Sequence, residues 1–159
     1  MLNLDEALKK YGLSMPDPPK AGGIYIPVKE FGKNLCYLSG CIPSFNGDIR
    51  FTGKLGREIN IDQGQKAARI CVLNLLANLI AKYGSLNIVK RIVKMTVFVA
   101  GTDTFYDHPK VANGASQLLV DIFGEETGCS SRSAVGVIAL PMNVPVEVEI
   151  LVELNQEGS

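Results

Sequence analysis

Few residues in this chain could carry out proton-transfer or metal chemistry. The 159 residues include one histidine, His108, and four cysteines, with no Cys-x-x-Cys pair among them. A zinc site built on several histidines is therefore excluded, and any Cys–His pair would have to use His108. Asp103 and Asp107 have the spacing of two calcium ligands, but Phe105 stands where a third oxygen ligand belongs. We expect no metal site, and we interpret His108 as the beginning of a helix beside Pro109.

Charged side chains near the C-terminus are the remaining candidates. Arg132 begins one strand-like segment, and Glu147 and Glu149 alternate with apolar residues in the next. In a strand, this alternation puts the two glutamates on the face opposite Val146, Val148, Ile150, Val152 and Leu154. These charges either are solvated at a sheet edge or lie on a sheet face that contacts another subunit. The periodicity leaves both interpretations open.

Hydrophobic periodicity predicts the elements that must position these side chains. In chain order we expect a helix at 3–12, a proline-rich connector at 15–23, strands at 24–30 and 34–39, a long loop with a weak hairpin at 40–63, a helix at 62–84, a strand at 91–100, a helix at 109–123, and strands at 133–140 and 146–154. Gly12, Gly84 and Gly124 are placed to end the three helices.

Some details of these elements are specific predictions. Asp62 is the expected N-cap of the long helix, with Gln65 as its capping-box partner, and Asn3 with Glu6 begins the short one in the same way. Asn74 and Asn78 fall on the side of the long helix opposite its apolar stripe. The buried face of the 91–100 strand is expected to carry Val93, Met95, Val97 and Val99.

The element order favours an α+β fold, with a mixed sheet and both main helices on one face. The opposite sheet face must then meet solvent or another subunit. Val135, Val137 and Ala139 on that face are small and apolar, which suits an oligomer interface. We expect a single domain over residues 1–159, in which the N-terminal helix and connector, residues 1–22, precede the core.

Composition excludes several function classes. Sixteen Lys and Arg balance sixteen Asp and Glu, so broad binding to nucleic-acid phosphates is not expected. The most apolar stretch, residues 71–81, is too short to span a bilayer, and the first residues lack the apolar region of a secretory signal. The cysteine spacing favours free thiols in a reducing compartment. We therefore expect a cytoplasmic protein with neither a membrane nor a nucleic acid as its partner.

The C-terminal segment resembles a known family. Residues 132–141, RSAVGVIALP, followed by the segment VEVE at 146–149, resemble the closing signature of the YjgF/RidA family. These are the reactive-intermediate deaminases, also described as endoribonuclease L-PSP. The segments GIY at 23–25 and LSG at 38–40 match the family's first two strands, and VANGAS at 111–116 is similar to a longer-chain branch. The resemblance covers about residues 20–155.

This resemblance implies both a fold and an activity. The fold is chorismate-mutase-like and assembles as a homotrimer, with a ligand cleft at each subunit interface. The activity is the hydrolysis of 2-aminoacrylate and related 2-imino acids, such as 2-iminobutanoate and 2-iminopropanoate, to 2-oxo acids and ammonia without a cofactor. The expected ligand is a small 2-imino or 2-oxo acid or another carboxylate. A carboxylate-binding trimer without catalysis is the alternative, and an endoribonuclease or translation inhibitor is a more remote one.

The resemblance also assigns roles to residues of this chain. Arg132 matches the arginine that binds the substrate carboxylate, a role that suits the planar fork of a guanidinium. Glu147 matches the glutamate associated with the water that attacks the imine carbon. The implied substrate-binding residues are Tyr25, Ser39, Gly40 and Ala134. Because many members carry a cysteine where this chain has Ala134, a thiol cannot act there, and only the backbone carbonyl is retained.

Overall fold

Two long helices cover one face of a five-stranded mixed sheet in this computed structural model, which describes residues 2–155. The elements in chain order are α1 Leu4–Tyr11, β1 Val28–Phe31, β2 Leu35–Cys41, β3 Ser44–Phe45, β4 Asp48–Ile49, α2 Ile61–Tyr83, β5 Val89–Ala100, α3 His108–Phe123, α4 Glu125–Gly128, β6 Ser131–Val137 and β7 Val146–Leu154. Strands β3 and β4 form the hairpin expected within the long loop.

The order of strands in the sheet is β1-β2-β7-β5-β6. Strands β5 and β6 are parallel and are joined through α3, whereas the other neighbouring pairs are antiparallel. The predicted α+β fold with both main helices on one face is therefore confirmed. Strand β7 lies between β2 and β5, so β6 and β7 are consecutive in the chain but are not neighbours in the sheet. The position of Arg132 on β6 relative to Glu147 on β7 is therefore set by how each strand pairs with β5.

The core lies between α2, α3 and the covered face of the sheet. Leu38, Met95 and Ile150 come from three strands and are almost completely buried there, and each such side chain contributes about 1.5–3 kcal/mol by leaving water. The helices cross closely at Gly114, where a Cβ would lie 2.5 Å from the carbonyl oxygen of Gln65. A glycine at this position is what allows α3 to approach α2.

The N-cap of the long helix lies two residues before the predicted one. Asn60 is the N-cap, and its side chain accepts a bond from the Gln63 amide while Gln63 accepts one from Asn60, which completes a capping box. Asp62, the predicted cap, instead pairs with Lys66 on the helix surface. Both candidates are good capping residues followed three positions later by glutamine, so periodicity alone does not separate them. In α1, Asn3 is the N-cap as predicted, but its side chain makes no capping bond.

Four other predictions about the elements are wrong. Strand β5 buries Ile92 rather than Val93, because the pairing with β7 shifts register between Ile92 and Lys94. Strand β1 begins at Val28 instead of residue 24, and β6 spans 131–137 instead of 133–140. Asn74 and Asn78 are both buried, because the loop after β2 packs over their side of α2.

The N-terminal helix is attached to the two main helices by side chains. The Tyr11 hydroxyl donates to Asp121 on α3 at 2.6 Å, and the Arg69 guanidinium of α2 lies 4.3 Å from the centre of the Tyr11 ring. Cys36 and Cys71 are fully buried free thiols, as expected of small core residues. Within residues 2–155, none of the helices combines the length and the apolar character that crossing a bilayer requires.

Candidate functional site

Glu147 lies on the helix-free face of the sheet, beneath the end of β2. It pairs in register with Phe98 of β5, and Gly40 of β2 lies directly over its carboxylate. Any Cβ at position 40 would overlap that carboxylate, so the site needs glycine there. The Ser39 hydroxyl donates to the carbonyl of Ile26 at 2.7 Å, which fixes β2 against the segment that carries Tyr25.

A cleft of about 490 Å³ opens beside these residues. It contains Tyr25, Ser39 and Gly40, so the structure brings together three of the predicted substrate-binding residues. The connector at 17–22 forms its outer wall, and the β3–β4 hairpin with the adjoining surface of α2 forms the rest. The connector is attached to the hairpin by the Asp17 amide, which donates to the Asn46 side chain at 2.8 Å.

The electrostatic setting of Glu147 favours its protonated form. The side chain is half-buried, and burial raises the pKa of the Glu147 carboxyl, with a further increase from the negative charge of Glu149. Glu149 accepts a hydrogen bond from the Tyr37 hydroxyl at 3.0 Å. A carboxylate with a raised pKa accepts a proton more readily than a solvated one, which is the property that a general base requires.

Arg132 lies on the other face of the sheet, at the edge strand β6. It pairs in register with the buried Met95, and its guanidinium contacts α3. Nη1 donates to Asn113 Oδ1 at 2.8 Å and to Ser116 Oγ at 3.0 Å, and Nη2 makes a 3.5 Å contact with the carbonyl of Pro109. Among residues 2–155, Nε has no acceptor, so the Nε–Nη2 edge of the fork is available to a carboxylate.

Asn113 and Ser116 are positioning residues that the sequence interpretation did not select. They occupy adjacent turns on one side of α3, where residues three apart are neighbours, and together they hold one nitrogen of Arg132. Both belong to the segment VANGAS that carries part of the family resemblance. Their three-residue spacing on a predicted helix was the signal available in the sequence, but the partner strand was not known.

The predicted site residues therefore form two groups. The cleft group comprises Tyr25, Ser39 and Gly40, which line the cleft, together with Glu147, whose carboxylate lies directly beneath Gly40. The arginine group comprises Arg132 and Ala134, which pairs with the buried Val97. The expectation that Arg132 and Glu147 share one apolar sheet face is wrong. Strand β5 lies between their strands, and its Met95 and Phe98, three residues apart, point to opposite faces.

His108 has the structural role predicted for it. It is the first residue of α3, and its ring meets that of Phe105 edge-on with centroids 5.4 Å apart. It also lies over Gly136 of β6, where a Cβ would approach its Nε2 to 2.5 Å. Asp107 precedes it as the N-cap of α3. Within residues 2–155, no group of three or more His, Cys, Asp and Glu side chains could hold a metal ion.

Comparison with known proteins gives the same fold over nearly the whole chain. Protein TCP17 of Trypanosoma cruzi is 40% identical over 148 residues, which cover 93% of this chain and 92% of that protein. The protein Atu1372 of Agrobacterium tumefaciens, whose crystal structure is described as of unknown function, is 36% identical with a TM-score of 0.88, covering 96% of this chain and 92% of that one. A putative endoribonuclease from Shewanella oneidensis MR-1 is 31% identical with a TM-score of 0.87, covering 94% and 98%.

The family resemblance, expected over about residues 20–155, is confirmed over a slightly longer range. The family model described as "YjgF/chorismate_mutase-like, putative endoribonuclease" matches residues 5–154. That range includes both groups of site residues and also most of the N-terminal helix and connector. On this match, and on the relatives that share its length and fold, the chain belongs to the YjgF/chorismate-mutase-like family.

Proposed function

We propose that this protein hydrolyses 2-imino acids to 2-oxo acids and ammonia, at a site that two copies of the chain build together. The proposal rests mainly on the orientation of the Arg132 guanidinium. Its guanidinium is held by Asn113 and Ser116, yet one edge of the fork is open to a carboxylate. A 2-imino acid presents a carboxylate next to its reactive carbon, so binding at Arg132 also fixes the position of that carbon.

The separation of the two groups supports a shared site. Glu147 and Arg132 point from opposite faces of the sheet, so within one chain they cannot act on the same substrate. The helix-free face carries exposed apolar side chains, among them Phe31, Tyr37 and Val135. A second copy packed against this face would bury them and could bring its own Arg132 to the cleft group. We therefore propose the homotrimer that the resemblance implies.

The chemistry needs only modest assistance from the protein. Glu147 takes a proton from a water molecule as the water oxygen attacks the imine carbon, and it returns that proton to the imine nitrogen, which gives an amino alcohol. The C–N bond then breaks while the hydroxyl proton passes through Glu147 to the departing nitrogen, so that ammonia leaves and the 2-oxo acid remains. Imines already hydrolyse in water, and positioned proton transfer adds on the order of 10²–10⁴-fold. One arginine, one carboxylate and backbone groups can supply this without a cofactor.

The test is ammonia release from 2-imino acids generated in place by an amino-acid oxidase. Wild-type protein is expected to accelerate this release, and Arg132→Ala to lower kcat/KM by on the order of 100-fold, because a charge-assisted pair to the carboxylate is lost. Lys9→Ala, which removes an exposed cation from α1, is the matched control and should be close to wild type. No acceleration by wild-type protein over a panel of imines would refute the proposal.

A carboxylate-binding trimer without catalysis is the second candidate, and it is favoured by one observation. Ala134 lies on the same side of β6 as Arg132, and it offers no side-chain group to a ligand. If the missing thiol is needed for turnover, 2-oxo acids should bind through Arg132 while imine hydrolysis stays at its uncatalysed rate. Calorimetry alongside the ammonia assay separates the two functions, and loss of binding in Arg132→Ala is expected for both.

A further inference from the structure

The floor of the cleft carries two buried carboxamides whose oxygens have no donor. Asn74 and Asn78 line the cleft, and only 1% and 6% of their surfaces are exposed. The Asn74 amide donates to the carbonyls of Ile42 and Ser44, at 3.1 and 2.7 Å. The Asn78 amide donates only to Cys41 Sγ, at 3.6 Å. Among residues 2–155, neither Oδ1 atom receives a hydrogen bond.

Among residues 2–155, Arg69 Nε is the fully enclosed side-chain atom that lacks a partner, so these two oxygens keep some access to the cleft and can accept a bond from water or a ligand there. Asn74 and Asn78 are four residues apart on α2, which makes them neighbours on one helix face with Cβ atoms about 5–6 Å apart. The two N–H groups of a primary carboxamide diverge and each reaches an acceptor about 2.9 Å away. Two acceptors at the separation of adjacent helical turns suit that group better than they suit a hydroxyl, which has one donor.

The floor also favours a neutral ligand group over an anionic one. Burial raises the pKa of the Cys41 thiol to about 12, with a smaller contribution from Glu147, so the sulfur is uncharged. The charged side chains of the connector, Asp17 and Lys20, are exposed and lie in the outer wall. A carboxylate on the floor would be buried without a partner of opposite charge and near Glu147, which already acts on Cys41, and this costs far more than burying an amide.

Building on the imine hydrolysis proposed above, we infer that this floor binds a side-chain carboxamide, so that the substrates are 2-imino acids of the asparagine and glutamine type. The cleft volume of about 490 Å³ falls within the range of roughly 300–1,000 Å³ typical of small-molecule sites. That is more space than the side chain of 2-iminopropanoate fills. Asn78 is the specificity-determining residue, since Asn74 also holds the Ile42 and Ser44 carbonyls in place.

Calorimetric titration of two product analogues tests this inference. 2-Oxosuccinamate carries the carboxamide, and 4-methyl-2-oxopentanoate has the same shape with methyl groups instead. Wild-type protein is expected to bind 2-oxosuccinamate about tenfold more tightly, as for a site built to pair with a polar group. Asn78→Leu should reduce this preference to within about twofold. Asn87→Leu, a change at an exposed asparagine outside the cleft, should leave it intact.

The outcomes separate this inference from the proposed function. Equal affinity of wild-type protein for the two oxo acids overturns the inference and indicates a floor filled by water, even if imines are hydrolysed. A tenfold preference without any imine hydrolysis supports the carboxamide site and refutes the deaminase. Binding of neither compound overturns both. If Asn78→Leu does not fold, as judged by circular dichroism, the wild-type preference alone decides.

Discussion

Arg132 carries the positive charge that would bind a carboxylate, and hydrogen bonds to α3 fix the orientation of its guanidinium. A free surface arginine loses side-chain entropy when it binds a ligand, whereas a guanidinium already held by two hydrogen bonds has less to lose. Asn113 and Ser116 provide those bonds. They touch the arginine rather than the substrate in this arrangement, so their contribution is to position a binding group in advance.

We predict that Asn113→Ala raises KM for 2-imino acids about three- to tenfold while kcat changes less. One hydrogen bond to a charged group is lost, and Ser116 still holds the same nitrogen. Steady-state kinetics of ammonia release provides the measurement. Gln117→Ala is the control, because Gln117 lies on the same helix and bonds Asp121 instead. Equal effects of the two substitutions would contradict a positioning role.

The raised pKa of Glu147 predicts the direction of a pH effect. If Glu147 must be deprotonated to accept a proton, kcat/KM falls as pH drops through that pKa. The negative charge of Glu149 contributes to the raised pKa of Glu147. Glu149→Gln should therefore lower the pKa of Glu147 and move the acid limb of the pH profile, in which kcat/KM falls with falling pH, to lower pH. Glu126→Gln, at an exposed position on α4, should leave the limb in place. A limb that does not move in Glu149→Gln would rule out Glu147 as the titrating group.

At the scale of elements, the local patterns in the sequence account for most of the structure. The stop glycines at 12, 84 and 124 end their helices as expected, and strand β7 matches its predicted bounds. The errors fall where another element decides the outcome. Asn74 and Asn78 look like an exposed stripe on an isolated helix, but the loop after β2 covers them.

The capping assignment of α2 can be tested by stability measurements. Asn60→Ala is expected to lower the free energy of unfolding by about 1 kcal/mol, because the first turn of α2 loses its side-chain acceptor. Asp62→Ala removes only a solvent-exposed ion pair with Lys66 and should cost no more than about 0.5 kcal/mol. Urea denaturation gives both values. The reverse order would show that Asp62 is the cap.

At the scale of the whole molecule, the proposed function requires assembly to bring the cleft group of one copy to the arginine group of another. Because each chain contributes Glu147 from one face and Arg132 from the other, a composite site uses residues of two different copies. Light scattering should then give a mass three times the 17.1 kDa of the chain. Val135→Lys, which puts a charge on the exposed apolar face, should shift the mass towards that of a single chain.

Mixed assemblies provide a direct test of the shared site. Arg132→Ala and Glu147→Ala should each be inactive alone. When the two are coexpressed, about a quarter of the sites in random trimers would combine an intact arginine with an intact glutamate, so activity should return to about that fraction of wild type. Arg132→Ala coexpressed with an Arg132→Ala, Glu147→Ala double variant should stay inactive. No recovery in the first mixture would refute the shared site.

The sequence by itself determined the α+β class, the order of the main elements and the residues with catalytic potential. Those properties follow from local periodicity, turn residues and side-chain chemistry, which the chain carries without reference to its fold. Tertiary structure decided that β5 separates β6 from β7, that Arg132 turns towards α3, and that Asn74 and Asn78 form the cleft floor. Strand order and helix cover depend on contacts between residues far apart in the chain, and no local pattern encodes which face such a contact will occupy.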